Sequence, residues 1–155
     1  MENANLLKKL YLFKDLSDKE IKVIEPAASS TSYGAGDEVF AQGERAKALF
    51  LVQSGSVKIH QTANDGESIE ITRLGPGSHF GEMSFLDGEP RSANATALEP
   101  TTILAINYDK LGSIMVDHPS VAGHFYRQFA KFLCGRLRVT TKDLSFSRSK
   151  ILSHF

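Results

Sequence analysis

Apolar positions along the chain change their period twice. Between residues 3 and 27, Leu6, Leu7, Leu10 and the pair Leu12–Phe13 fall roughly at helical spacing, and Ser17–Asp18 stands where a second short helix through Ile21 and Ile24 needs a cap. After Pro26 the texture becomes β-like. From Ser29 to Asn107, glycines and turn signals separate the short runs SSTSY, EVFA, ALFLV, SVKIHQT, SIEITRL, ANATAL and TTILAIN. Asn64-Asp65-Gly66 predicts a hairpin turn, because Asp-Gly tolerates the positive φ angles of tight turns. Many short strands at this spacing predict an antiparallel sandwich or barrel, with a jelly roll among the options. After Asn107 the helical period returns. YDKLGSIMVDH predicts a short helix stopped by Pro119, and a long helix follows from Pro119 to about Leu144. Its residues Val121, Phe125, Phe129, Phe132, Leu133, Leu137 and Leu144 form one stripe, longer and more aromatic than packing on a small barrel needs. Part of that stripe suits a partner helix, most simply its own copy in a homodimer. Burial of the whole stripe against the barrel is the alternative.

The length, 155 residues, suits one domain with a proper core. The expected division is N-terminal helices over 1–27, a barrel over 28–107, and C-terminal helices and tail over 108–155. A hydrophobic fraction of 41% and a charged fraction of 23% are ordinary for a globular chain. The single cysteine, Cys134, excludes an internal disulfide and is expected to pack among apolar helix neighbours. No apolar run approaches the roughly 18 residues of a membrane span, and the N-terminus has no signal-peptide core, so a cytoplasmic protein without membrane contact is expected. Formal net charge is zero but unevenly spread. Arg127, Lys131, Arg136, Arg138, Lys142, Arg148 and Lys150 are opposed between 127 and 150 by Asp143 alone, a stripe that suits phosphate, an acidic partner or plain solvation of a helix face. His60, His79, His118, His124 and His154 form no metal-ligand spacing, and a cupin-like metal site would want a His-x-His pair that is missing. No residue set supports catalysis, so an enzyme with a catalytic cofactor is not expected.

The segment FGEMSFLDGEPRSANA, residues 80 to 95, carries the candidate chemistry. Gly81 precedes a short potential helix through Glu82, Met83, Ser84, Phe85 and Leu86, whose first N–H groups suit an anion. Arg91 adds a planar guanidinium able to hold two phosphate oxygens, Ser92 adds a hydroxyl, and small Ala93 lets a ligand approach the backbone. Glu82 suits a hydroxyl such as a ribose 2′-OH. Acid for sugar and arginine for phosphate describe a nucleotide whose phosphate lies beside its ribose. The alternatives, residue by residue, are a structural salt bridge for Arg91 and a cap on its own helix for Glu82.

Phe80-Gly81-Glu82-Met83-Ser84 followed by Pro90-Arg91-Ser92-Ala93 resembles the phosphate-binding cassette of the cyclic nucleotide-binding domain family. That family includes catabolite activator/FNR-type regulators and the regulatory subunits of cAMP-dependent protein kinase. YGAGDEVFAQGERAKALFLVQSGSVKI and LGPGSHFGE resemble its early strands and the approach to the cassette. The resemblance implies a mainly β fold with flanking helices: a double-stranded β-helix (jelly-roll) barrel with N-terminal helices and a long C-terminal helix. It implies a cassette over 80–93 in which Glu82 binds the ribose 2′-OH. Arg91 neutralises a cyclic phosphate, with Ser92, Ala93 and the N–H groups near Gly81, Met83 and Ser84. Ile71 and Leu74 line the wall beside sugar and base. Thr140 and Thr141, in Arg136-Leu137-Arg138-Val139-Thr140-Thr141, are implied as base readers, one of them from the other subunit. The implied ligand is cAMP, with cGMP as the alternative. Phe85 departs from the family's usual aliphatic residue, and Ser56 from its usual acid or amide.

The expected function is a cyclic nucleotide sensor that signals through its C-terminal helix to a downstream protein partner. The stretch after Leu144, SFSRSKILSHF, is too short for the helix-turn-helix of related regulators, so sequence-specific DNA reading by this chain is not expected. Two other readings are a regulatory fragment of a larger effector and a degenerate interaction module that binds no nucleotide.

Overall fold

The computed structural model describes residues 2–153, with side chains from 3 to 148. His154 and the side chain of Lys150 therefore lie outside the described residues. Among the described residues eight strands form two four-stranded antiparallel sheets. One sheet orders β1 (Ala28–Tyr33), β8 (Thr101–Asn107), β3 (Ala48–Ser54) and β6 (His79–Phe80). The other orders β2 (Glu38–Phe40), β7 (Asn94–Ala97), β4 (Val57–Thr62) and β5 (Ser68–Leu74). This is the jelly roll the chain's pattern and resemblance imply. β6 is the strand that sequence pattern did not resolve, because two residues carry no period; it pairs Phe50 with Phe80 and Leu51 with His79.

The apolar runs ALFLV and TTILAIN are continuous because both faces of their strands are covered. Leu49, Leu51, Leu104 and Ile106 pack into a core shared with the helices. Phe50, Val52 and Ile103 point to the opposite face and join Phe40, Val57, Phe80 and Ala95 inside the barrel. Side chains alternate across a strand, so two central strands build two cores at once. At the β4–β5 hairpin Gly66 has φ 84°, and the Asp65 carboxylate accepts from the Glu67 N–H, as the Asn-Asp-Gly signal predicts.

The first helical layer contains α1 (Glu2–Lys9), a 3-10 turn over Tyr11–Phe13 and α2 (Asp18–Ile24). Ser17 and Glu20 form a reciprocal capping box at the start of α2. α3 (Met83–Asp87) and α4 (Tyr108–Asp117) follow, and then α5 runs over Pro119–Ser153. It extends past the expected end near Leu144, since no Gly or Pro after that residue terminates it. None of the described helices is long and apolar enough to cross a membrane.

The α5 stripe divides in two. Val121, Phe125 and Phe129 are fully buried with the N-terminal helices, and the Phe125 ring lies 5.7 Å from that of Phe13. Glu20 of α2 accepts from the Ser120 hydroxyl and stands 3.3 Å from His124 Nδ1, and Gln128 donates to Asp15. Further along, Leu137 is 67% exposed and Leu144 55% exposed. Cys134 corrects the expectation of a packing thiol, for it is exposed on this outer half.

Replacing Ser17 with Ala is expected to lower stability by about 1 kcal/mol, measured by urea denaturation. Its partner gives a pH signature. The hydrogen bond from the Ser17 N–H is the largest effect holding the Glu20 carboxyl below the usual glutamate range. Its contribution is thus present above the unfolded-state value and is lost as pH falls through the folded one. The melting-temperature gap between parent and Glu20→Gln should close on acidification from about pH 7 to about pH 3.

Candidate functional site

Arg91 lies between β7 and the end of α3, and only 5% of its surface is exposed. Its backbone is clipped to the turn after β2, the Arg91 N–H donating to Glu44 O and the Gly43 N–H to Arg91 O, both at 2.8 Å. The guanidinium turns inward. Nη1 donates to Gly81 O at 2.9 Å and to the Tyr108 hydroxyl at 3.3 Å, and Nη2 donates to Ala48 O. The Phe40 ring lies beneath it, with its centroid 4.2 Å from the guanidinium carbon. Burial pushes the guanidinium below the usual arginine range, and the neighbouring Tyr108 hydroxyl opposes that shift. The Tyr108 phenol is pushed up by its own burial. Among the described residues no carboxylate comes within ion-pair distance of Arg91, so the salt-bridge alternative is not what the structure shows. Three hydrogen bonds leave two of the five guanidinium donors for another acceptor.

Gly81 is the backbone pivot of this arrangement. Its φ is 76°, and a Cβ there would stand 2.8 Å from Arg91 Nη1. Its carbonyl accepts from both Arg91 and Tyr108. Only glycine meets both demands without strain. Glu82 follows at the N-cap of α3, yet its side chain makes no capping hydrogen bond, which sets aside the capping alternative. It is 3% exposed, and its Oε2 stands 3.5 Å from His79 Nδ1. The buried cation and the buried anion thus flank Gly81 without pairing with each other.

The remaining candidates take different positions. Met83 is exposed and Ser84 half-buried in the first turn of α3. Ser92 is exposed, its carbonyl accepting from Gln61 of β4 at 3.1 Å, while Ala93 is buried. Leu74 is half-buried against the barrel core, and Ile71 is exposed on β5. The structure does not bring Thr140 and Thr141 to the cassette. Both are exposed on α5 and donate to their own helix, to Arg136 O and Leu137 O. Thr140 also lines a groove with Tyr11, Phe132 and Arg136.

Tyr108, Ala48, Phe40, Gln61 and His79 complete the surroundings of the cassette and were not legible in the sequence. Tyr108 and Ala48 lie 17 and 43 residues from Arg91, so no local motif marks them. The aromatic departure at Phe85 has a structural use: its ring packs 5.2 Å from Tyr108 and 5.7 Å from Phe125. It joins the cassette helix to α4 and α5.

Two antiparallel sheets with a cassette of this geometry define a ligand-binding jelly roll. Residues 30–118 match the model of the cyclic nucleotide-binding domain, and the chain belongs to that family. It is 35% identical over 133 residues to the cyclic AMP receptor protein of Thermus thermophilus, covering 86% of this chain and 60% of that protein. It is 30% identical over 140 residues to the CRP-like cAMP-activated global transcriptional regulator of Mycobacterium tuberculosis, covering 90% of this chain and 61% of the relative. The chain thus spans about three-fifths of the length of these curated relatives. The crystal structure of the N-terminal domain of a transcriptional regulator from Streptomyces coelicolor superposes with a TM-score of 0.75 at 31% identity. That match covers 90% of this chain and 94% of the other.

Gly81→Ala is expected to cost about 2 kcal/mol, from the positive φ and the contact with Arg91. Chemical denaturation tests this, and an unchanged midpoint would show that the pivot can relax freely.

Proposed function

We propose that this chain is a single cyclic nucleotide-binding domain, a non-catalytic sensor that takes cAMP at the cassette and signals through α5. The observation that carries the reading is the buried Arg91 guanidinium, held by two carbonyls and a phenol, with no carboxylate within ion-pair distance among the described residues. Burying an unpaired cation is costly, and an arriving phosphate offsets that cost. Glu82, on the other side of Gly81, accepts the ribose 2′-OH. Met83 and Ser84 offer first-turn N–H groups, while Ser92 and Ala93 border the phosphate. Ile71 and Leu74 form the apolar wall. The cAMP in the names of the two relatives reported above makes that nucleotide the first to test, with cGMP as the alternative.

Signalling is a shift between two arrangements of the helices. A phosphate on the two remaining Arg91 donors changes the charge beside the Tyr108 hydroxyl, which shares the guanidinium, and Tyr108 opens α4. The rings of Tyr108, Phe85 and Phe125 carry that change to α5. The exposed outer stripe, with Leu137 and Leu144, supports pairing of α5 with its copy in a homodimer. In that dimer Thr140 or Thr141 of the second copy reads the base, and the paired helices present the output surface to a downstream protein.

Calorimetry should show cAMP binding to the parent and a loss of roughly a hundredfold in Arg91→Ala. No binding of cAMP or cGMP by the parent, or equal affinity in the variant, would sink the reading. For the dimer, light scattering should report twice the chain mass for the parent and a shift toward monomer for Leu137→Glu. That exposed position leaves the fold intact, so the melting temperature of the monomer should stay close to the parent's.

A further inference from the structure

His79 has no role in the cassette pattern, yet it is placed against the cassette's acid. Its side chain is 8% exposed and that of Glu82 4%, with Nδ1 and Oε2 3.5 Å apart. That separation is a few tenths of an ångström beyond a hydrogen bond. His79 Nδ1 is the one fully buried side-chain nitrogen or oxygen without a hydrogen-bond partner among the described residues. Among the described residues this approach is the one ion pair of the Glu82 carboxylate. A buried imidazole nitrogen left unpaired beside a carboxylate is costly, and a small movement of either side chain satisfies it. On its other side the imidazole packs against Phe132 of α5, with ring centroids 4.6 Å apart. The short strand β6 fixes its backbone opposite Leu51. The imidazole is therefore held from the backbone and by the helix, while Glu82 has three rotatable side-chain bonds and no other anchor.

We propose that His79 is a positioning residue for ribose recognition: its Nδ1–H donates to Oε2 of Glu82 and turns Oε1 toward the 2′-OH of the nucleotide. The inference rests on the proposed cyclic nucleotide site. It adds a residue that sets the preference for a 2′-hydroxyl and, through Phe132, makes that preference sensitive to the seating of α5. With the proton on Nδ1 the neutral imidazole suffices, so no change of charge is involved.

The test compares cAMP with 2′-deoxy-cAMP by calorimetry on the parent, His79→Leu and His79→Asn, each checked for an intact fold by its melting curve. A hydrogen bond to a carboxylate predicts that the parent prefers cAMP by roughly tenfold to a hundredfold. In His79→Leu that preference should fall to within about threefold, with 2′-deoxy-cAMP affinity nearly unchanged. His79→Asn, whose amide N–H can replace Nδ1–H, should restore most of it. A full preference retained in His79→Leu overturns the proposal, as does an equal weakening of both nucleotides, which is what a merely structural residue would give. Failure of His79→Asn to rescue assigns the effect to packing and overturns it too. A parent that binds neither nucleotide, or binds both equally, instead defeats the assignment of the site itself, and this inference with it.

Discussion

A guanidinium removed from water must be surrounded by oxygen, and in this chain the oxygens come from three distant places. Gly81 and Ala48 contribute carbonyls and Tyr108 a hydroxyl, while the Phe40 ring closes the face beneath. Each contribution constrains its neighbourhood. Gly81 must hold a positive φ with no Cβ, which fixes where α3 begins. Ala48 opens β3, the strand that supplies both cores. Tyr108 opens α4 and so ties the entry to the C-terminal helices to the charge in the cassette. Dipoles supply all three of its hydrogen bonds, and the carboxylates of Glu44 and Glu82 act on it only from beyond ion-pair distance.

The two-core architecture puts the barrel in direct packing contact with the helices outside it. β3 and β8 turn alternate side chains to the barrel interior and to the helical layer, so the sheet between the two cores is shared. Close-packed interiors transmit displacement rather than absorbing it. Phe85 bridges the same division from the cassette side, meeting Tyr108 and Phe125 where an aliphatic side chain would reach less far. α5 in turn belongs to both worlds. Its first half is anchored by Val121, Phe125 and Phe129, and its second half leaves Leu137 and Leu144 exposed.

Much of the fold was legible because its signals are local. The Ser17 cap, the Asn-Asp-Gly hairpin, the apolar strand runs and the stripe of α5 each follow from residues a few positions apart. The length of α5 and the exposure of Cys134 depart from the sequence expectation for one reason. A helix continues wherever nothing stops it, and sequence does not say whether anything covers it. β6 was missed because two residues display no alternation.

The same boundary runs through the candidate site. The sequence by itself determined the cassette: a glycine before an acid, an arginine nine residues after that acid, and small residues around them, all within one short loop. Only the tertiary structure decided what those groups face. Arg91 meets carbonyls and a phenol instead of a carboxylate, Glu82 faces an imidazole instead of capping its helix, and Thr140 and Thr141 lie away from both. The physical reason is the range of the interactions. Turn and helix preferences act between neighbours in the chain, whereas the partners of a buried charge are whichever groups the packed strands bring within about 3 Å of it.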